Sequence, residues 1–526
     1  MRFFNTAGPV NCQDHYCLPP LSRFDLAEIL SLIAQKKYFV LHAPRQSGKT
    51  SCMLALRDLL NREGNYTALY INVESGQSAR GDVGRGMKAI ITQIAYGAEI
   101  TLQDMFLMEN KASILEQSGE DAALGVALSM WCRRLETPLV LLIDEVDALV
   151  GDTLISLLRQ IRSGYPERPS SFPASVILCG VRDLHDYRIH SDKDQAIITG
   201  GSAFNIKAES LRLGNFSEEE TRTLCLQHTM ETGQVFEDEA LESIWHLTCG
   251  QPWLVNALAY EVCFEIDEGK VRKNPITMSL VMEAKERIIQ RRETHLDQLA
   301  DKLKEERIRR VIEPMLAGED QPEMVPEDDI WYIEDLGLIT TQGHLRIANP
   351  IYQEIIPRVL TYSTQLTITK ETKWYIDSAG RLGMNLLLTS FAQFFREHSE
   401  FWLERFSYKE AGPQLLLQAF LQRIVNGGGQ ITREYGLGMG RTDLFILWRL
   451  PDGKFQRSVI ECKVVRGSRE TTINAGIAQV LKYADSCGAD ETYLIIFDKT
   501  KKKSWDKKIF TDTRVQDGSS VIIFGM

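Results

Sequence analysis

Four short apolar runs punctuate the first part of the chain: Tyr38–His42, Ala68–Asn72, Pro138–Ile143 and Ser175–Cys179. Each is continuous rather than alternating, as in strands buried on both faces. Amphipathic stretches lie between them, so residues 1–215 predict an α/β core, a doubly wound parallel sheet with helices on both sides. From Phe216 the pattern turns helical. Ser217 with Glu220 forms a capping box, which opens a helical lid over 216–290. Residues 283–310 carry dense charge of both signs, as on a solvated helix face. Over 291–362, helical stretches precede a strand pair, Leu338–Ile347, that turns at Gln342 and Gly343; this order predicts a winged helix. The polar stretch 362–373 reads as a linker. Residues 374–526 read as helix to about Asn426, stopped by Gly427–Gly429, then three strands, a helix and a strand. No internal repeat appears.

The length of 526 residues suits three or four folding units. An apolar share of 44% with 25% charged residues is that of ordinary globular protein. No apolar run reaches the ~18 residues that span a bilayer, and residues 1–16 lack a secretory signal. We therefore expect a cytoplasmic protein without a membrane partner. The ten cysteines show no metal-binding spacing, Cys12 and Cys17 being the nearest pair, and all are expected to be reduced thiols. A net charge of −11 argues against a surface that coats nucleic acid, but leaves room for a local basic patch. Lys499, Lys501, Lys502, Lys503, Lys507 and Lys508, with Trp505 among them, are the candidate. Such a cluster can track a phosphate backbone and stack a base; a solvated hairpin tip is the plainer alternative.

The most specific motif is Ala43–Thr50, which follows a strand and opens a helix, as a P-loop requires. The backbone amides of Arg45, Gln46, Ser47 and Gly48 would bind phosphate at the positive end of that helix. Lys49 would reach the β- and γ-phosphates of ATP, and the Thr50 hydroxyl would hold Mg²⁺. Ala43 replaces the first glycine of the motif, which is tolerable if its φ stays negative. The apolar strand ending in Asp144 and Glu145 is a Walker B element: Asp144 would bind Mg²⁺ through water, and Glu145 would polarise the attacking water. Arg159, Arg162, Arg168 and Arg182 are candidates for a cation on the γ-phosphate, chosen on charge and position alone.

With both Walker elements, the stretches His15–Pro20 with Arg23, Phe204–Arg212, Gly250–Asn256 and Ile347–Tyr352 give residues 10–360 a resemblance to AAA-type ATPases related to the STAND and archaeal ATPases. The resemblance implies that Tyr16, Arg23 and Pro252 embrace the adenine; packing and turn roles compete with that assignment. A winged helix would often read DNA, but the helix expected for that task, Pro326–Asp335, is acidic and phosphate repels it. A structural or regulatory lid is the better expectation.

The C-terminal constellation is Glu410, then Asp443 at the head of a strand, then Glu461, Cys462 and Lys463 at the end of the next. Pro451–Gly453 turns the two strands into a hairpin, which can set Asp443 beside Glu461. Residues 461 and 463 share a strand face. Asp443, Glu461 and the Cys462 carbonyl would form an all-oxygen Mg²⁺ site, with Lys463 activating or orienting a water. The arrangement resembles the PD-(D/E)XK nuclease superfamily, with Thr442 where the pattern has proline. The resemblance extends through Gly412–Gly429 and Arg433–Tyr435. It makes Glu410 an extra acid and places Gln479 and Tyr483 on the following helix.

Three functions compete. The first is an ATP-switched Mg²⁺ nuclease acting on nucleic acid, DNA foremost, through the C-terminal domain. The second is a signalling or assembly switch whose C-terminal domain binds DNA without cutting it. The third is a DNA-maintenance or mobile-element ATPase whose chemistry lies in a partner. Defence and genome maintenance are both consistent settings, and a homo-oligomer is left open.

Overall fold

The computed structural model describes the chain apart from residues 183–188, 191–196, 199–208, 292–300, 304, 317–324, 344, 361–374, 406–415, 418–419, 422–429, 438–439, 466, 499, 501–502 and 517. The expected linker 362–373, Glu410 and the glycine triplet Gly427–Gly429 fall outside the described residues. The chain divides into two compact units, Met1–Arg292 with Ile330–His344, and Glu293–Asp329 with Leu345–Met526.

In the first unit the apolar runs become strands β1 (Tyr38–His42), β2 (Thr67–Asn72), β3 (Leu139–Asp144) and β4 (Ser175–Gly180), and Glu209–Arg212 adds β5. Among the described residues they form a five-stranded sheet in the order β2-β3-β4-β1-β5, parallel throughout. Alternate strand residues enter two separate cores. Val40, Leu69, Leu141 and Leu178 pack against the helices Val83–Leu102, Ala123–Cys132 and Asp152–Ser163. Phe39, Leu41, Leu142 and Ile177 pack against Leu26–Ala34 and Lys49–Glu63. Both faces are therefore covered, which is why the runs lack polar alternation. This wrapping leaves the carboxyl ends of β1, β3 and β4 as the place where loops meet.

The capping box forms as expected: Ser217 Oγ accepts from the Glu220 amide at 3.1 Å, and Glu220 Oε2 accepts from the Ser217 amide at 2.7 Å. Helices follow over Glu218–Thr232, Asp238–Thr248, Pro252–Tyr260 and Met278–Arg291.

The expectation of reduced thiols throughout fails at one pair. Cys12 and Cys17 form a disulfide, with Cα atoms 5.5 Å apart. The amides of Asp14 and His15 both donate to the Asn11 carbonyl. That turn brings the two cysteines within bridging range, which spacing alone did not reveal. The other eight cysteines are not disulfide-bonded and are mostly buried.

The second unit contains a mixed sheet of six strands among the described residues: β6 (Gln430–Leu437), β7 (Gly440–Arg449), β8 (Phe455–Val464), β9 (Glu491–Phe497), β10 (Phe510–Gln516) and β11 (Ser519–Gly525). Their order is β6-β7-β8-β9-β11-β10. β6, β7 and β8 are antiparallel neighbours, β8, β9 and β11 run parallel, and β10 returns antiparallel. The helix Arg469–Cys487 is the crossover between β8 and β9. It buries Ile473, Ile477 and Val480 against Val459, Leu494 and Ile523. No described helix is long and apolar enough to cross a membrane.

Candidate functional site

β1 delivers the chain to the loop Ala43–Gly48. Ala43 is fully buried, keeps a negative φ, and donates its amide to the Gly180 carbonyl at 3.2 Å, so alanine costs nothing at the first motif position. Gly48 caps the following helix at φ +93, a conformation that a side chain would strain. Ser47 Oγ donates to the Pro44 carbonyl at 2.8 Å. Lys49 is 7% exposed, and its ammonium donates to the carbonyls of Ala43 and Pro44 at 2.8 and 2.9 Å. The loop thus holds its cation at its own mouth.

β3 brings Asp144 to the same place. The Thr50 hydroxyl donates to Asp144 Oδ2 at 2.7 Å, the Tyr70 hydroxyl donates to the same oxygen at 2.9 Å, and the Glu145 amide donates to Oδ1 at 2.9 Å. Asp144 is fully buried. Every one of these donors is neutral, so the carboxylate is oriented while its charge is not cancelled by them. Glu145 stands in the left-handed region at φ 58. Burial, then the neighbouring Asp144, raises its pKa above the ordinary carboxylate value, with Lys49 and Arg45 opposing. Asp147 is raised in the same direction by burial, opposed by the Val181 amide and Arg182.

Tyr70 escaped the sequence reading because it sits in an apolar run that looks like core. In the parallel register Asn72 pairs with Asp144 and Tyr70 with Leu142, so Tyr70 shares Asp144's sheet face one step back. A tyrosine two residues before the end of a strand that neighbours a Walker B strand is the signal available in the sequence.

Tyr16, Arg23 and Pro252 all line one cavity of about 130 Å³, together with Gln46, Gly48 and Asn256. Arg23 donates to the carbonyls of Gly214 and Ser47 at 2.6 and 3.4 Å, and its guanidinium lies 4.4 Å from the centre of the Phe216 ring. Tyr16 is buried, its hydroxyl 3.1 Å from His228 Nδ1. Pro252 opens its helix in the first turn, where a missing amide is harmless. Gly250 at φ +71 makes the preceding bend, and a Cβ there would meet the Phe216 carbonyl oxygen at 1.9 Å.

The four candidate arginines separate. Arg159 and Arg162 are exposed. Arg168 donates to the carbonyls of Tyr165 and Lys36 and lies against the rings of Tyr165 and Tyr38, a packing role. Arg182, at the end of β4, is 3.6 Å from Asp147 and 5.4 Å from the centre of the Tyr332 ring. The last residues of the acidic helix Glu327–Asp335 and the turn after it also meet this end of the sheet. Asp335 lies 3.2 Å from His42 Nδ1, and Glu334 lies 3.3 Å from Arg212. A Cβ at Gly337 would strike the Pro44 ring at 2.6 Å.

In the second unit, β7 and β8 pair to Leu444 with Ile460. Asp443 and Glu461 each lie one residue beyond that pair, at matching positions on adjacent strands. Glu461 is 1% exposed, and Lys463 Nζ donates to its Oε1 at 2.7 Å. Cys462, between them, is buried. Gln479 donates to the Tyr483 hydroxyl at 2.9 Å, one helical turn on. Among the described residues no three His, Cys, Asp or Glu side chains gather as a metal centre; the Asp443 side chain and all of Glu410 lie outside them.

The basic patch is partly dispersed. The four residues Trp505–Lys508 form a short helix rather than a hairpin tip. Trp505 packs edge-on against Phe395 at 5.9 Å and carries Lys508, itself buried, 5.1 Å from its ring centre. Lys503 is paired with Asp498 at 2.6 Å. Lys507 is exposed, and Lys499, Lys501 and Lys502 lie outside the described residues.

Residues 33–187 match the family described as AAA domain. Among curated proteins, none matches the chain. Among solved structures, the chain is similar to a Walker-type ATPase of Pyrococcus abyssi, at 15% identity over 67% of this chain and 99% of that one, TM-score 0.45. It is also similar to Cdc6p from Pyrobaculum aerophilum, at 14% identity over 67% and 96%, TM-score 0.37. A third is the RuvB Holliday junction branch migration motor of Thermotoga maritima, at 14% identity over 63% and 95%, TM-score 0.32. Residues 33–187 are an AAA-type P-loop ATPase domain.

Proposed function

We propose that the protein hydrolyses ATP with Mg²⁺ at the Ala43–Thr50 loop and the Asp144–Glu145 strand end, and that its C-terminal domain cuts nucleic acid, DNA foremost. The observation that carries the first half is the meeting of Thr50 and Asp144 at 2.7 Å beside a lysine fixed by two loop carbonyls. The donor set suits Mg²⁺, which takes hard oxygens, keeps several waters and uses one or two carboxylates with substrate phosphates. Thr50 and Asp144 would hold the ion, which neutralises charge on the β- and γ-phosphates when bound. The amides of Arg45, Gln46, Ser47 and Gly48 cradle phosphate, and Lys49 brings its charge to the β- and γ-oxygens. Glu145 orients the attacking water and accepts its proton. Tyr16, Arg23 and Pro252 wall the base.

For the nuclease half, support comes from the strand register. It aligns Asp443 with Glu461 and sets Lys463 on the face of Glu461. Asp443, Glu461 and the Cys462 carbonyl would hold Mg²⁺, a set of hard oxygens again; Lys463 would orient a water toward a phosphodiester. The reading divides the chain into an ATPase core 1–215, a lid 216–290, a winged helix 291–362 and a nuclease-like domain 374–526. Glu334 and Asp335 of that stretch, engaged by Arg212 and His42, favour a lid role over reading DNA. Labelled single- and double-stranded DNA and RNA, incubated with and without ATP and Mg²⁺, test the whole. Mg²⁺-dependent cleavage that responds to nucleotide is expected. Binding without cleavage under every condition would favour the switch that only binds DNA.

A further inference from the structure

Residues between Asn5 and Pro20 form one wall of the cavity beside the P-loop. Little regular structure holds that segment: Phe3 and Phe4 pair in parallel with His15 and Tyr16. Its position depends on bonds to the helices around it. The Val10 amide donates to Ser51 Oγ, on the P-loop helix Lys49–Glu63, at 2.9 Å. The Thr6 carbonyl accepts from Trp253 Nε1 at 2.9 Å. Gln227, on the helix Glu218–Thr232, holds Cys17 twice: Gln227 Oε1 accepts from the Cys17 amide at 3.1 Å, and Gln227 Nε2 donates to the Cys17 carbonyl at 2.9 Å.

The Cys12–Cys17 bond lies between two of these anchors. Val10 stands just before Cys12, and Cys17 is itself held by Gln227. The cross-link therefore ties the stretch fastened to the P-loop helix to the stretch fastened to Glu218–Thr232. Without it, the turn between them relies on hydrogen bonds around Asn11, and those of its amide and side chain are exposed. Exposed backbone and side-chain bonds open readily to water, whereas a covalent bridge restricts the loop it closes. Cys12 is exposed and Cys17 half-buried, so the bond is open to exchange. Exposed disulfides are the labile, regulatory kind.

We propose that the Cys12–Cys17 bond is a thiol–disulfide switch on nucleotide binding. Oxidised, it fixes the cavity wall between the P-loop helix and Glu218–Thr232; reduced, it releases that wall and weakens the hold on the base. The proposal rests on the reading of this cavity as the base pocket of the ATPase site. The reductant is a dithiol. One of its thiolates attacks the exposed Cys12 sulfur, breaks the Cys12–Cys17 bond and expels the Cys17 thiolate, which takes up a proton. The second thiolate of the dithiol then displaces Cys12, which is protonated in turn, and the dithiol leaves as its own disulfide. Two electrons pass to the protein. A disulfide oxidant runs the same exchange backwards. A wall held in its bound conformation raises affinity because less freedom is lost on binding.

Equilibrium binding of a non-hydrolysable Mg²⁺-ATP analogue to the full chain tests it, after treatment with oxidised glutathione or with dithiothreitol. Alkylation and mass analysis of the peptide that carries Cys12 and Cys17 report the state of the bond in each sample. The oxidised protein should bind the analogue roughly tenfold more tightly than the reduced protein. Cys12→Ser should bind like the reduced protein under both treatments. Equal affinity in the two states of the native chain, or a Cys12–Cys17 bond that does not form, overturns the switch. So does a redox response that persists in Cys12→Ser, since another cysteine then carries it. In any of these cases, binding that is lost in Lys49→Ala leaves the ATPase site standing. If the native chain binds no analogue in either state, both readings fall. The native-protein arms stay decisive even where the variant is unstable.

Discussion

The two candidate sites each join a carboxylate to a lysine, and they do so in opposite ways. In the first unit the acid and the lysine are held apart from one another. Asp144 is fixed by two hydroxyls and an amide, and Lys49 by two carbonyls. Neutral partners orient both charges without neutralising either. In the second unit Lys463 bonds directly to Glu461, so part of the acid's negative charge is already answered. The first arrangement stands ready for a metal and a phosphate that bring their own charges. On the proposed reading, the second would share Glu461 between lysine and metal. A charge-assisted pair of this kind is among the stronger hydrogen bonds, and metal affinity at the second site should be the weaker.

The largest effect should follow from breaking the first arrangement. Lys49→Ala should reduce ATP hydrolysis by about 10²–10³-fold, the usual cost of removing one charge-stabilising donor, with weakened ATP binding measured alongside. Glu145→Gln should retain ATP binding and lose hydrolysis to a similar degree, because only the water's orientation and proton acceptance are touched. Steady-state turnover near the native rate in both would remove the nucleotide site.

The pH profile sharpens the same site. Glu145 works as a carboxylate. Burial and Asp144 raise its pKa, so the ionised fraction begins to fall at a higher pH than for an ordinary glutamate, near 4.3 in model peptides. The acid limb of kcat/KM for ATP, which reports the free enzyme, should therefore lie above that value. It should vanish in Glu145→Gln. A limb at the ordinary value would mean that Glu145 is solvated and not the group that titrates.

The smallest effect is assigned to Tyr70→Phe. It removes one hydrogen bond from a neutral donor to the Asp144 carboxylate, worth about 2 kcal/mol, or roughly thirtyfold in kcat/KM. A change above a hundredfold would make Tyr70 part of the chemistry rather than a support.

What could be read from the chain follows the range of the interaction. The P-loop and the Walker B strand are local patterns at strand ends, and β1 to β4 formed within a residue or so of their expected bounds. The fifth strand, Glu209–Arg212, is harder to see, since four residues of mixed polarity carry little periodicity. Tyr70, Arg182 with Asp147, and His42 with Asp335 depend on which strands and loops become neighbours, and no spacing encodes that. Compartment and count do not reveal the Cys12–Cys17 bond, because a local turn decides their distance. The lysine-rich stretch near Trp505 shows the reverse error: charge counted along the sequence ignored that Lys503 and Lys508 are taken up by Asp498 and the Trp505 ring.

On the proposed reading, one chain holds an ATPase site and a separate metal-dependent nuclease site. Both activities measured on Asp443→Ala protein test it most directly, with Lys463→Ala as its companion. The account predicts cleavage lost in both variants and ATP hydrolysis kept within about twofold of the native rate, since the two sites share no ligand. It also predicts that Mg²⁺ binding at the C-terminal domain is lost in Asp443→Ala and retained in Lys463→Ala. Cleavage persisting in Asp443→Ala, or ATP hydrolysis falling with it, would contradict the account.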